Sequence, residues 1–261
     1  MFAYIETTDR KSLRRERRRA PFFVAEDFVY NRRPVYKVVI RGNRPDQRIE
    51  DELTARFGGR VLFPESVKCG GIPERYRNDY EKYKIEVYIK SAAGMLRKNA
   101  FGLDAGSRVC IADRTGGYSK LIEEAAAYIP RLCVLTNKEN ERLYVQQAGK
   151  VLAQYRCAVP VFTSAGSVGK CALVIACDSG MLPGGKSVFS VSTDNCRNGI
   201  VPASALPEEL KCPAGIDPML FSYAICRFCG GEILAANAYR LCGGYKIPYN
   251  ISKEKIQFLV K

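Results

Sequence analysis

Val109-Cys110-Ile111-Ala112 runs directly into Asp113-Arg114-Thr115-Gly116-Gly117-Tyr118-Ser119, and a helical pattern follows from Lys120 to Ile129 until Pro130 ends it. A short, unbroken apolar run has no wet face, so it reads as a strand covered on both sides. The small and polar residues after it make a loop, and the helix carries the chain back. The same rhythm repeats on either side of the next helix. Leu132-Cys133-Val134-Leu135 leads to Thr136-Asn137 and a long helix from about Glu139 to Tyr155. Val159 to Phe162 leads to Thr163-Ser164-Ala165-Gly166, and Ala172 to Cys177 leads to Asp178-Ser179-Gly180. Val188 to Ser192 reads as a fifth strand. Apolar runs alternating with helices predict an α/β fold with a mostly parallel sheet.

Over residues 107–200 this pattern resembles the Rossmann-like, doubly wound α/β class that includes NAD(P)-binding domains. The resemblance implies a ligand across the carboxyl ends of the strands, touching Asp113, Arg114, Thr115, Gly116, Gly117, Ser119, Asn137, Ser164 and Asp178-Ser179. Gly116 and Gly117 would let the backbone approach a phosphate, and Thr115 and Ser119 add hydroxyls. The loop departs from the G-x-G-x-x-G fingerprint: its glycines are adjacent and no third follows. Asp113 would also repel a phosphate unless Arg114 offsets it. No acid stands at Thr136-Asn137-Lys138 to hold a ribose 2′-OH, so NADP is better tolerated there than NAD. The reading favoured for Asn137 itself is a cap on the next helix. If the site catalyses a reaction, Asp113 and Asp178 are the acid/base candidates, and Tyr118 and Lys120 the proton donors. Capping and loop hydrogen bonding are the structural alternative for both carboxylates. The reading is therefore a nucleotide or dinucleotide site, with an oxidoreductase as one outcome; the alternatives are a non-catalytic nucleic-acid or partner-binding protein using the basic N-terminal arm, and a degenerate Rossmann-like scaffold with no cofactor.

Outward from this core the rhythm changes. Phe22-Phe23-Val24, Phe28-Val29-Tyr30 and Val35 to Ile40 are β-prone, and Asp46 to Phe57 places Ile49, Leu53 and Phe57 on one helical face. Arg60 to Phe63 is a short strand, Tyr83 to Lys90 alternates like a strand, and Ala92 to Phe101 could be a helix. The expected organisation is a basic arm at 1–20, a small α+β unit at 21–106 and the Rossmann-like domain at 107–261. The C-terminal part reads as helices over Ile216–Phe228, Glu232–Leu241 and a last one capped by Ser252.

Two other motifs are weaker. Gly180-Met181-Leu182-Pro183-Gly184-Gly185-Lys186-Ser187 satisfies the P-loop pattern, but the residues after it read as strand where a P-loop needs a helix. Cys226-Arg227-Phe228-Cys229-Gly230 resembles half of a zinc ribbon, for which Cys212 and Cys242 could supply further ligands. A structural zinc is disfavoured because no second C-x-x-C accompanies it. Cys110, Cys133, Cys171 and Cys177 lie in or beside apolar strands, where a free thiol packs as a small hydrophobe.

Composition bounds the chemistry. The 261 residues contain no His, so Ser-His-Asp and Cys-His catalysis and His-ligated zinc are excluded. The 41 Lys and Arg outnumber the 27 Asp and Glu, giving a net charge of +14. Arg10 to Arg19 hold seven basic residues and one acid, Glu16, which is +6 of that total. Such a run attracts phosphate backbones, but the reading favoured is a solvated helix or arm that docks on an acidic patch of a partner subunit. Nucleic acid is thus one expected partner, a homo-oligomer another. No secretion signal or membrane-spanning run is visible, so a cytoplasmic location with reduced cysteines is expected.

Overall fold

The computed structural model describes residues 1–8, 22–41, 47–64, 74–178, 183, 185–190 and 199–242. The chain divides into two compact units, Met1–Lys84 with Leu206–Leu234, and Ile85–Ala205 with Ala235–Lys261.

The first unit is built on four strands. β1 (Phe2–Thr8) is central, β2 (Phe22–Tyr30) and β3 (Arg33–Arg41) form an antiparallel pair, and after helix α1 (Gln47–Arg56) comes the short β4 (Val61–Leu62). The order is β2-β3-β1-β4, with β1 parallel to both neighbours. Ile49, Leu53 and Phe57 bury the predicted face of α1 against Ala3, Ile5, Val38 and Ile40. A turn of 3-10 helix at Glu74–Tyr76 opens α2 (Arg77–Arg97), which crosses from this unit into the second.

Tyr83 to Lys90 is therefore helix, not strand. Tyr83, Val87, Tyr88, Ser91, Ala92, Met95 and Leu96 are buried, at spacings of four, five, eight, nine, twelve and thirteen from Tyr83. That is the 3.6-residue period of a helix, and packing along it overrides the β propensity of Ile85, Val87 and Ile89.

The second unit carries the seven-stranded sheet. Its elements are β5 (Val109–Ala112), α3 (Lys120–Ala126), β6 (Leu132–Leu135), α4 (Lys138–Tyr155), β7 (Val161–Phe162), α5 (Ala165–Val168), β8 (Cys171–Ala176), β9 (Gly185–Ser190) and β10 (Gly199–Ser204). Helix α6 (Pro218–Cys229) belongs to the first unit, and β11 (Ala238–Cys242) returns to the sheet. The strand order is β11-β10-β9-β8-β5-β6-β7, parallel throughout except for β11. Counted from β5, the first six strands stand in the order 3-2-1-4-5-6 of the Rossmann fold. Every residue of β5 and β6 is buried, as a parallel sheet covered on both faces requires. The fold is thus α/β: a mostly parallel sheet in the second unit, and a smaller four-stranded α+β unit made from residues 1–84 and 206–234.

Two C-terminal expectations meet different ends. Ile216–Phe228 corresponds to α6, with Asp217 accepting from the Leu220 N–H at 2.7 Å and Pro218 in its first turn. Residues 231–237 are irregular and Ala238–Cys242 is strand where a helix was expected over Glu232–Leu241. Pairing with β10 supplies the backbone partners, with Ile200 opposite Leu241 and the Asn237 N–H on the Ser204 carbonyl at 2.9 Å. The Ser252-capped helix lies outside the described residues, as does the arm Arg10 to Arg19. Lys186 and Ser187 stand in β9, so a strand follows the P-loop-like run and the helix that phosphate binding needs is missing there.

Candidate functional site at the carboxyl edge of the sheet

The chain reverses direction across the sheet between β5 and β8. From β5 it winds outward to β6 and β7, then crosses to β8 on the other side. Ligands of open α/β sheets bind at such a switch point, outside the carboxyl ends of the strands. Asp113 follows β5 and Asp178 lies two residues beyond β8, so the two carboxylates flank it.

Asp113 is fully buried. Its Oδ1 accepts from the Thr115 N–H at 2.8 Å and the Thr115 hydroxyl at 2.6 Å. Its Oδ2 accepts from the Tyr118 N–H at 2.9 Å and from the Tyr144 hydroxyl of α4. Four donors on one carboxylate account for its burial and fold the loop around it. Tyr144 is buried too, and burial first, then Asp113, pushes its phenol far above the usual tyrosine range.

Asp178 accepts from the Arg114 N–H at 2.7 Å and, on its other oxygen, from Arg114 Nε at 3.2 Å. The Arg114–Asp178 pair thus ties the ends of β5 and β8 together across the switch point. Between them, Cys177 is buried, and its thiol is held well above its usual range by burial and then by the two carboxylates.

The glycine loop is backed by α4. Gly116 has φ +77°, and a Cβ there would lie 2.9 Å from Asn140 Oδ1 and 3.1 Å from Leu143 Cδ2. Asn140 Nδ2 in turn donates to the Arg114 carbonyl at 2.6 Å. Gly117 is exposed, and its N–H donates to the Thr115 hydroxyl at 3.2 Å. The amides of Arg114, Thr115, Gly117 and Tyr118 are therefore each engaged by a side-chain oxygen of the protein. A pyrophosphate cradle needs such amides for its ligand.

The remaining predicted residues are placed as follows. Ser119 is the N-cap residue of α3, and Ser164 that of α5, neither with a side-chain capping bond. Asn137 caps α4 by accepting from the Asn140 N–H at 2.9 Å. Tyr118 is buried, Lys120 is exposed, and Ser179 lies outside the described residues. Cys226 and Cys229 occupy the last turn of α6, where Cys226 donates to the Gly231 carbonyl at 3.3 Å, and Cys212 donates to the Ile216 carbonyl at 3.3 Å. Cys242 is in β11, with its side chain outside the description.

The sequence reading passed over Thr136. It directly follows β6, is 1% exposed, and its hydroxyl has no hydrogen-bond partner among the described residues. In Rossmann-type sites the group that bonds the ribose stands about 20 residues after the glycine loop, at the end of this second strand. Searching there for an acid is what hid a threonine.

No protein-family model and no curated protein matches the sequence. Among solved structures, L-tryptophan dehydrogenase from Nostoc punctiforme is similar over 60% of this chain and 50% of its own, with 12% identity and a TM-score of 0.27. The chain spans half the length of that neighbour. No described helix is long and apolar enough to cross a membrane. Function is therefore read from the chain's own topology and loop chemistry.

Proposed function

We propose that the seven-stranded unit binds an adenosine-bearing cofactor at the β5/β8 switch point, and that the cofactor is S-adenosylmethionine in preference to NAD(P). The observation that carries this reading is the pair of carboxylates there, with the loop amides already spent on protein oxygens. A pyrophosphate would meet two acids and few available N–H groups. A sulfonium is a cation, and the same surroundings favour it. Thr136 supports a ribose at the end of β6, because a buried hydroxyl without a partner gains one from a ligand hydroxyl.

The reaction class that follows is methyl transfer. The S–CH3 bond breaks, a bond forms from that carbon to an oxygen or nitrogen of the acceptor, the acceptor loses a proton, and S-adenosylhomocysteine remains. Asp113, saturated by four donors, positions the loop and does not take that proton. The proton leaves to solvent, and Lys120, exposed beside the loop, is a cation that can hold an anionic acceptor there. The net charge of +14 supports an anionic acceptor such as nucleic acid, with the arm Arg10 to Arg19 adding salt-dependent affinity.

Thermal unfolding of the purified protein with S-adenosylmethionine, S-adenosylhomocysteine, NAD+, NADP+ and ATP tests the reading. A ligand at about a hundred times its Kd adds about 2.7 kcal/mol of stability. The first two ligands are expected to raise Tm and the pyridine nucleotides not to. A rise with NAD+ or NADP+ alone would replace the methyl-transfer reading by hydride transfer.

A further inference from the structure

At the opposite, amino edge of the same sheet, three cysteines from three strands come together. Cys110 and Cys133 are register partners on the parallel strands β5 and β6, so they share a face. Cys171 begins β8 on the other side of β5. Strict alternation from Val174, the register partner of Cys110, would send Cys171 to the opposite face. The strand is irregular where it starts: the Arg108 carbonyl accepts from both Ala172, at 2.8 Å, and Leu173, at 3.4 Å. Cys171 consequently packs with Cys110, Cys133 and Val174 in one cluster.

The three sulfur atoms all lie within 4.8 Å of one another. Three thiolates around one ion with metal–sulfur bonds of about 2.3 Å have sulfurs about 4 Å apart, so small side-chain shifts close the site. The thiols have only long contacts otherwise, Cys133 to the Val109 carbonyl at 3.6 Å and Cys171 to that of Gly169 at 3.9 Å. Cys171 also lines a cleft of about 520 Å³ together with Arg108, Arg131 and Lys170. That cleft supplies an approach from solvent and three cations against one carboxylate, Asp104. A divalent ion bound by three thiolates carries a net negative charge, and a monovalent one more, which those cations offset.

We propose that Cys110, Cys133 and Cys171 form a three-thiolate site for a soft d10 metal ion, zinc or copper(I), with the fourth coordination position facing the Arg108–Arg131–Lys170 cleft. Sulfur-only donors select soft ions, and three ligands with an open position differ from the closed four-ligand sites that serve structure alone. Binding displaces the thiol protons, so it releases acid. The site is distinct from the Cys212, Cys226, Cys229 and Cys242 set and does not depend on the cofactor reading.

The test is titration of the reduced, full-length protein with Zn2+ alone, with Cu+ alone, and with Co2+ as an optical probe. One equivalent of Zn2+ or Cu+ is expected to bind tightly, and Co2+ to show intense sulfur-to-metal charge transfer. Cys171→Ser and Cys133→Ser should weaken binding by roughly a hundredfold, while the double variant Cys226→Ser/Cys229→Ser binds as the parent does. Should the β-strand variants fail to fold, X-ray absorption of the metal-loaded parent decides, with three sulfur scatterers expected. Binding lost instead in the Cys226/Cys229 variant, fewer than three sulfurs at the metal, or no stoichiometric uptake would overturn the proposal.

Discussion

Asp113 is the residue on which the candidate site turns. A buried carboxylate is costly unless every lone pair is used, and here Thr115, Tyr118 and Tyr144 use them. Asp113→Ala leaves four donors without that acceptor and should cost about 3 kcal/mol, read from urea unfolding. Tyr144 adds a pH signature. Its folded-state proton is held more tightly than in the unfolded chain, because burial and Asp113 both oppose the phenolate. The stability this contributes is complete below about pH 10, the ordinary tyrosine value, and declines as pH rises above it. Tyr4, Tyr83, Tyr223 and Tyr239 shift in the same direction, so alkaline sensitivity should persist, reduced, in Tyr144→Phe. Urea midpoints of parent and variant across that range check the difference. Thr136 behaves oppositely. Thr136→Val removes an unsatisfied hydroxyl at nearly constant volume, so Tm should hold or rise while affinity for a ribose-bearing ligand falls about tenfold.

At the scale of elements, α4 is the brace. Asn137 caps it, Asn140 holds the Arg114 carbonyl, Leu143 stands over Gly116, and Tyr144 reaches Asp113. Gly116→Ala must strain a φ of +77° and displace Asn140, so a loss of about 1–3 kcal/mol is expected by chemical denaturation. The strand–loop–helix sequence from Val109 to Tyr155 was legible in advance because buried parallel strands are short, continuous and punctuated by turn residues. Asp113 and Asp178 were legible as neighbours of the site for the same reason: each directly follows an apolar run. The donors that saturate Asp113 were not, since Tyr144 comes from the middle of a helix 31 positions away. The alternating run Tyr83 to Lys90 misled because two-residue and 3.6-residue periods coincide over so short a window. Glu232 to Leu241 misled because its alanines favour helix in isolation, whereas β10 presents an edge to be paired. The cysteine triad was invisible as a set, since its members stand on three strands and one depends on an irregular strand start.

For the whole molecule, charge and sulfur sort into places. Of the +14, six charges fall in Arg10 to Arg19, and replacing the seven Arg and Lys of that run by Gln, which leaves β1 intact, should lower nucleic-acid affinity and flatten its salt dependence. Fluorescence anisotropy at several salt concentrations reads both. The sheet itself is two-ended. Its carboxyl edge carries Asp113, Asp178 and Thr136, and its amino edge carries three thiols, of which Cys171 lines a cleft with Arg108, Arg131 and Lys170. The acidic switch point is the central claim, and isothermal titration of the parent protein with S-adenosylmethionine and with NADP+ tests it most directly. Saturable binding of S-adenosylmethionine, weakened in Thr136→Val and absent for NADP+, is the predicted result. Binding of NADP+ without S-adenosylmethionine, or of neither, would contradict it.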